Sequence, residues 1–195
     1  MSETTPATVT FARTIENARP LDPAVRLAQP LVDALLADRF RADALQGKWL
    51  GHAVHPLLVM LPIGSWTSAT VLDLLGGRGS RDAAQRLVAT GVLAAGPAAI
   101  TGWAEWGGRL DQRDKRVGVV HAASNVAALG LFAASWKARR RGQHLRGAGL
   151  GLVGHAAVGV GGFLGGHLTE ARKVSSRHPA FDDDAIGQEG VRGLP

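Results

Sequence analysis

Four runs of about 20 residues carry almost no charge and follow one another with only short, charged loops between them. They are His55–Leu75, Ala83–Trp106, Val117–Trp136 and Ala148–Leu168. At about 1.5 Å of rise per residue, each is long enough to cross a hydrocarbon core of about 30 Å as a helix. A water-soluble four-helix bundle needs polar outer faces, and these runs are apolar all round. The mean hydropathy of +0.05 and the 19% of charged residues describe a chain whose charge is concentrated in loops and tails. The pattern predicts an all-α protein, a four-transmembrane-helix up-and-down bundle with an N-terminal amphipathic helix, surrounded by the lipid bilayer.

Local signals place the boundaries. Residues 1–29 are expected to be a disordered tail; its Thr/Ala/Glu-rich start, Met1–Pro20, has no apolar h-region and does not read as a cleaved signal peptide. Over 30–46, Leu31, Val32, Leu35, Leu36, Phe40 and Leu45 recur at helical spacing opposite Asp33, Asp38, Arg39, Arg41 and Asp43. With Pro30 suited to a first turn, this reads as an interfacial helix. The membrane domain covers 47–170, with Trp49 and Trp66 as interface or packing aromatics. A loose tail, including Asp182–Asp184, covers 171–195. Pro56 starts the first span, and Pro62 and Pro97 are expected to kink the first and second. The charged stretch Gly107–Arg116 is read as a solvated loop, and Lys137–Arg146 as another.

Composition excludes several chemistries. With no Cys there is no disulfide, thiolate metal site, iron–sulfur cluster or cysteine nucleophile. A net charge of +6 and a pI near 10.9 suit arginines flanking membrane spans, and no nucleic-acid partner is expected. Far-side loops hold eight Lys and Arg residues and the histidine side ten, so the positive-inside rule leaves orientation open. GGRGSR at 76–81 lacks the P-loop lysine pattern and a preceding strand. No nucleophile with a base and an orienting acid can be assembled, so no catalytic residue is assigned.

Folding the four spans up and down brings several polar groups to one end. His52 and His55 open the first span, Glu105 closes the second, His121 lies about one turn into the third, and His167 closes the fourth. Polar side chains at membrane depth are costly, which makes each a functional candidate. The first and third helices are diagonal neighbours, so His55 and His121 could approach a haem iron from opposite sides. His167 is the next candidate, and His52 could orient another imidazole. Alternatively His55, His121 and His167 with Glu105 could ligate a non-haem iron, copper or zinc ion. The same residues could instead form the structural polar network of a non-catalytic membrane scaffold or accessory module, or line the path of a small transporter or channel for protons or solutes. His155, half way along the fourth span, reads as a helix-to-helix hydrogen bond with a Ser or Thr across the interface. Asp73 reads as a partner of Arg78 or Arg81. His144 and His178 are assigned nothing.

The fourth span pairs Gly147 with Gly151, Gly161 with Gly165 and Gly162 with Gly166 at four-residue spacing. Such spacing lets a neighbouring helix, or that of a second copy, approach closely. His52–Trp66 and His121–Trp136 both run from histidine to Ser-Trp, a loose hint of two hairpins related by a pseudo-twofold axis.

GHAVHPLLVMLPIG at 51–64, Asp73, HAASN at 121–125 and GGFLGGHL at 161–168 resemble a bacterial membrane-protein family, domain of unknown function 2231. The resemblance covers about Lys48–His178. It implies a multi-pass protein of the bacterial inner membrane without an established activity, related to members fused to Rieske or cytochrome-type domains. Those fusions imply electron transfer and a redox partner protein. Many relatives open with GHPLHP; here Ala53 stands at the first proline, which leaves the helix entry less rigid.

Overall fold

The computed structural model describes residues 4–108 and 111–178. Four long helices form the bundle: α4 (His55–Leu75), α5 (Arg81–Trp106), α6 (Gln112–Arg140) and α7 (His144–Gly166). Three shorter ones precede them: α1 (Ala7–Asn17), α2 (Asp22–Leu36) and α3 (Arg39–Leu45). Among the described residues there is no strand, only an isolated bridge between His52 and Arg177.

All four long helices are long and apolar enough to cross a membrane, and only 22% to 28% of the most apolar window of each is buried inside the protein. Their outward residues include Met60, Leu74, Leu93, Val126 and Val153, each more than half exposed. An apolar surface of that extent is unstable in water and suits acyl chains. The chain is a multi-pass membrane protein.

The bundle consists of two antiparallel hairpins, α4–α5 and α6–α7, whose helices pack along their whole length. Small residues permit this. A Cβ at Gly91 of α5 would lie 2.3 Å from the Trp66 ring of α4, and one at Gly154 of α7 would lie 2.8 Å from the Phe132 ring of α6. The two rings then stack on each other through the middle of the bundle, with centroids 4.0 Å apart and planes within 5°. Trp66 and Phe132 are buried, and with Ala69, Ala84 and Val88 they form the main core cluster.

Helix ends differ from the sequence-based boundaries in informative ways. The first span matches at His55–Leu75, with Pro56 in its first turn. The third begins earlier than expected, because Asp111 accepts the Asp114 N–H at 2.9 Å and caps α6. Arg113, Asp114, Lys115 and Arg116 therefore belong to a first helical turn and not to a solvated loop, and α6 runs on to Arg140. Gly142, at φ 74°, then reverses the chain in a conformation that favours glycine. Arg109 lies outside the described residues.

The N-terminal expectation needs correction. Where residues 1–29 read as a disordered tail, α1 and most of α2 are helical, and Pro30 lies inside α2 instead of starting a helix. Both helices dock on the bundle. Ile15 packs on Val117 and Leu164, while Val25 and Val32 pack on Trp106. Polar contacts fasten them: Arg116 donates to both carboxylate oxygens of Asp22, at 2.6 and 3.0 Å, and to the Glu16 carbonyl at 2.9 Å. The Arg116 and Gln112 side chains hold the Asp22 carboxyl down at about 2. At the other end, residues 172–178 are not loose. Ala53 N–H donates to the Ser176 carbonyl at 2.8 Å, His178 N–H to the Gly51 carbonyl at 2.8 Å, and Arg172 pairs with Asp111 and Asp114. The rest of the expected tail, with Asp182–Asp184, lies outside the described residues.

Candidate functional site

Because α4 and α6 run in the same direction on opposite corners of the bundle, residues near their starts face each other across its axis. His55 and His121 do so, with ring centroids 6.4 Å apart and planes at 81°. Each imidazole is anchored within its own hairpin. His55 Nδ1 lies 2.8 Å from the Ala98 carbonyl of α5, and His121 Nδ1 lies 2.7 Å from the Gly161 carbonyl of α7. A carbonyl only accepts, so Nδ1 carries the proton in both rings and, in the neutral imidazole, Nε2 carries the lone pair. His55 Nε2 makes no hydrogen bond among the described residues, whereas His121 Nε2 accepts from the Asn125 amide at 2.9 Å. Thr101 Oγ1 sits 3.4 Å from His55 Nδ1.

Glycine makes room for both rings. A Cβ at Gly102 would lie 2.9 Å from His55 Cε1, and one at Gly165 would lie 3.0 Å from His121 Cε1. Gly161 similarly gives way to Asn125. The four-spaced pairs Gly147/Gly151 and Gly161/Gly165 thus face α6, while a Cβ at Gly162 or Gly166 would meet nothing within 4 Å.

The two hairpins repeat each other residue by residue. His121, Phe132 and Arg139 follow His55, Trp66 and Asp73 by 66 positions; Gly154, Gly161 and Gly165 follow Gly91, Ala98 and Gly102 by 63. Three equivalent pairs therefore meet on one axis: the imidazoles at one end, the stacked rings in the middle, and Asp73 with Arg139 at the other end. Eleven and then seven residues separate these layers, about 16 Å and about 10 Å along a helix. The repeat is parallel, with its twofold axis along the bundle. Its register differs from the Ser-Trp alignment, since Trp66 corresponds to Phe132 and not to Trp136.

The remaining polar groups go elsewhere. His167 Nε2 lies 2.8 Å from Glu16 Oε1 of α1. Glu105 Oε2 accepts the Ser176 N–H at 2.8 Å, and its buried Oε1 has no hydrogen-bond partner among the described residues. His52, in the turn before α4, places Nδ1 3.0 Å from the Ala53 carbonyl. No group of three or more His, Asp or Glu able to hold a metal ion occurs among the described residues. His155 makes the helix-to-helix contact read from its position, 3.5 Å from Thr70 Oγ1, with Gly151 carbonyl at 3.0 Å. Asp73 does not pair with Arg78 or Arg81; both its carboxylate oxygens accept from Arg139, one of them at 2.7 Å.

Four spans, a paired histidine at the head of α4 and a glycine-lined α7 are thus fixed in one domain. A family model described as a predicted membrane protein, domain of unknown function 2231, matches residues 51–177. The chain belongs to that family. No curated protein and no solved structure matches it. The part that belongs to domain of unknown function 2231 holds both histidines, the three axial layers and the returning segment at Ser176, while α1–α3 precede it. Sequence reading missed the Ala98 and Gly161 carbonyls, Gly102 and Arg139; the 66- and 63-residue spacings are the signal that would have found them.

Proposed function

We propose that His55 and His121 would hold a b-type haem between the two hairpins, in a bacterial inner membrane, and that the protein exchanges electrons with a redox partner protein. The observation that carries this reading is the matched commitment of both Nδ1–H groups to backbone carbonyls, which leaves a lone pair on Nε2 of each ring, open on His55 and on His121 shared with the Asn125 amide that a bound group would displace. The two rings also lie close together although they come from different hairpins, with centroids 6.4 Å apart. Haem asks the protein for two ligands or fewer, whereas a non-haem iron, copper or zinc site with Glu105 and His167 asks for a convergent set that the described residues do not form. Bound haem supplies a one-electron couple. The protein's part is to hold the two rings, fix their tautomer and exclude water.

A second reading is favoured by the Asn125 amide on His121 Nε2: both imidazoles serve only as interhelical ties, with Thr101 and Asn125 completing a polar network. Such bonds in membranes average about 0.6 kcal/mol each. A reduced-minus-oxidised optical spectrum of the detergent-purified protein, expressed with haem supply, separates the two. The haem reading expects a sharp band that disappears in both His55→Ala and His121→Ala. A colourless preparation of folded protein refutes it and leaves the polar network.

A further inference from the structure

The outward face of α2 is apolar, although the helix lies outside the four spans. Three stripes run along it at helical spacing. Val25, Ala28, Val32 and Leu36 pack on the bundle against Trp103, Trp106 and Val119. Asp22, Arg26, Gln29 and Asp33 form a polar edge tied to the start of α6, where Gln112 and Arg116 donate to Asp22 and Lys115 donates to Gln29. Leu27 and Leu31, flanked by Pro23, Pro30 and Ala34, form the third stripe and are 79% and 75% exposed.

The position of α2 decides what covers that stripe. The helix rests between α5 and α6 at the level of Trp103 and Val119, within two residues of His121. Its polar edge points to the charged start of α6, so the third stripe, about 150° away around the helix, points away from that charged end. Next to it α1 lies on α6 and α7, and its half-exposed Phe11 rests on Phe163, an outward residue of the fourth span, with centroids 6.0 Å apart. An aromatic contact therefore joins α1 to the outward surface of the fourth span. The same end carries the largely exposed Phe40 and Trp49.

We propose that α1 and α2 form a collar sunk into the leaflet on the histidine side, with Leu27, Leu31 and Phe11 against acyl chains and the Asp22–Asp33 edge in the head-group layer. The bilayer, and not a second copy or another protein, is the occupant, because α2 packs on α5 and α6, whose outward residues suit acyl chains, beside an α1 that touches the outward Phe163 of the fourth span. The collar also shields the α5–α6 groove beside His121 from water.

The absence of cysteine makes the test direct. Leu27→Cys, Leu31→Cys and Asp33→Cys are each labelled with a nitroxide in the full-length protein in lipid nanodiscs. Collisions with oxygen and with a water-soluble nickel chelate are then measured by power saturation. Labels at 27 and 31 are expected to meet oxygen several-fold more often than nickel, and the label at 33 the reverse. Nickel access at 31 equal to that at 33 would place the stripe in water and overturn the proposal. Exclusion of both reagents at 31, with dipolar broadening between labels, would overturn it in favour of a second copy. Neither outcome bears on haem, which the optical spectrum reads separately.

Discussion

Replacing Asp73 by Asn should damage this protein more than replacing its partner. The Arg139 side chain is 1% exposed and Asp73 14% exposed, and the guanidinium gives two bonds to the carboxylate and one, at 3.2 Å, to Ser135 Oγ. Asp73→Asn leaves a buried cation that cannot shed its charge, and removal of one partner from a buried pair costs about 3–5 kcal/mol. Arg139→Gln leaves a carboxylate that is more exposed and keeps some contact with water, a loss of about 1–3 kcal/mol. The double variant should recover part of the sum, with a coupling of about 1–3 kcal/mol. Equilibrium unfolding by SDS in mixed micelles across the four proteins measures all three quantities. Additive losses, or an Asn cost within about 0.5 kcal/mol of the Gln cost, would show that the pair is not a buried unit. Exchanging the residues, Asp73→Arg with Arg139→Asp, should not restore stability. Arg139 passes over Gly147, where a Cβ would lie 2.5 Å from its Cγ, while the corresponding position in the first hairpin is the fully buried Ala84.

Two further outcomes are expected. Gly102→Ala and Gly165→Ala push a methyl into the imidazoles and should each cost about 1–3 kcal/mol and, if the proposed haem reading holds, lower the haem absorption, whereas Gly149→Ala, with nothing within 4 Å of its Cβ position, should be neutral; thermal unfolding in detergent with absorption spectra reads both effects. For Asp22 the folded-state pKa of about 2 lies below the ordinary carboxyl value of 3.8, so its contribution to docking is complete above that value and is lost as pH falls through 3.8 toward 2. Hydrogen exchange in α1–α2 should accelerate over that window in the natural protein, while in Asp22→Asn the same amides should exchange faster already at neutral pH.

The four spans could be read from sequence because lipid imposes a plain rule: about 20 apolar residues per crossing. His55 and His121 were also readable, since alternating helices bring the first and third starts to one end. Depth is not azimuth, however. Glu105 and His167 reach a similar level, yet their helix faces turn them to Ser176 and Glu16. Both partners come from chain segments outside the spans, one of them read as a disordered tail. That segment escaped notice because α1 and α2 are short, contain or follow prolines, and owe their docking to Arg116, Val117 and Trp106, which are distant in sequence. The internal repeat was seen in the wrong register for a similar reason. Matching tryptophan with tryptophan follows residue identity, whereas the structure equates the aromatic rings that meet a glycine on the neighbouring helix.

The charge pairing at the far end of the axis sets a limit on symmetry. Two copies of the first hairpin would oppose aspartate to aspartate there, and two copies of the second would oppose arginine to arginine, each pair with little water to relieve it. Neither half can therefore build this bundle with its own twin. Covalent linkage of unlike halves is what allows acid and base to occupy a point that perfect twofold symmetry would forbid.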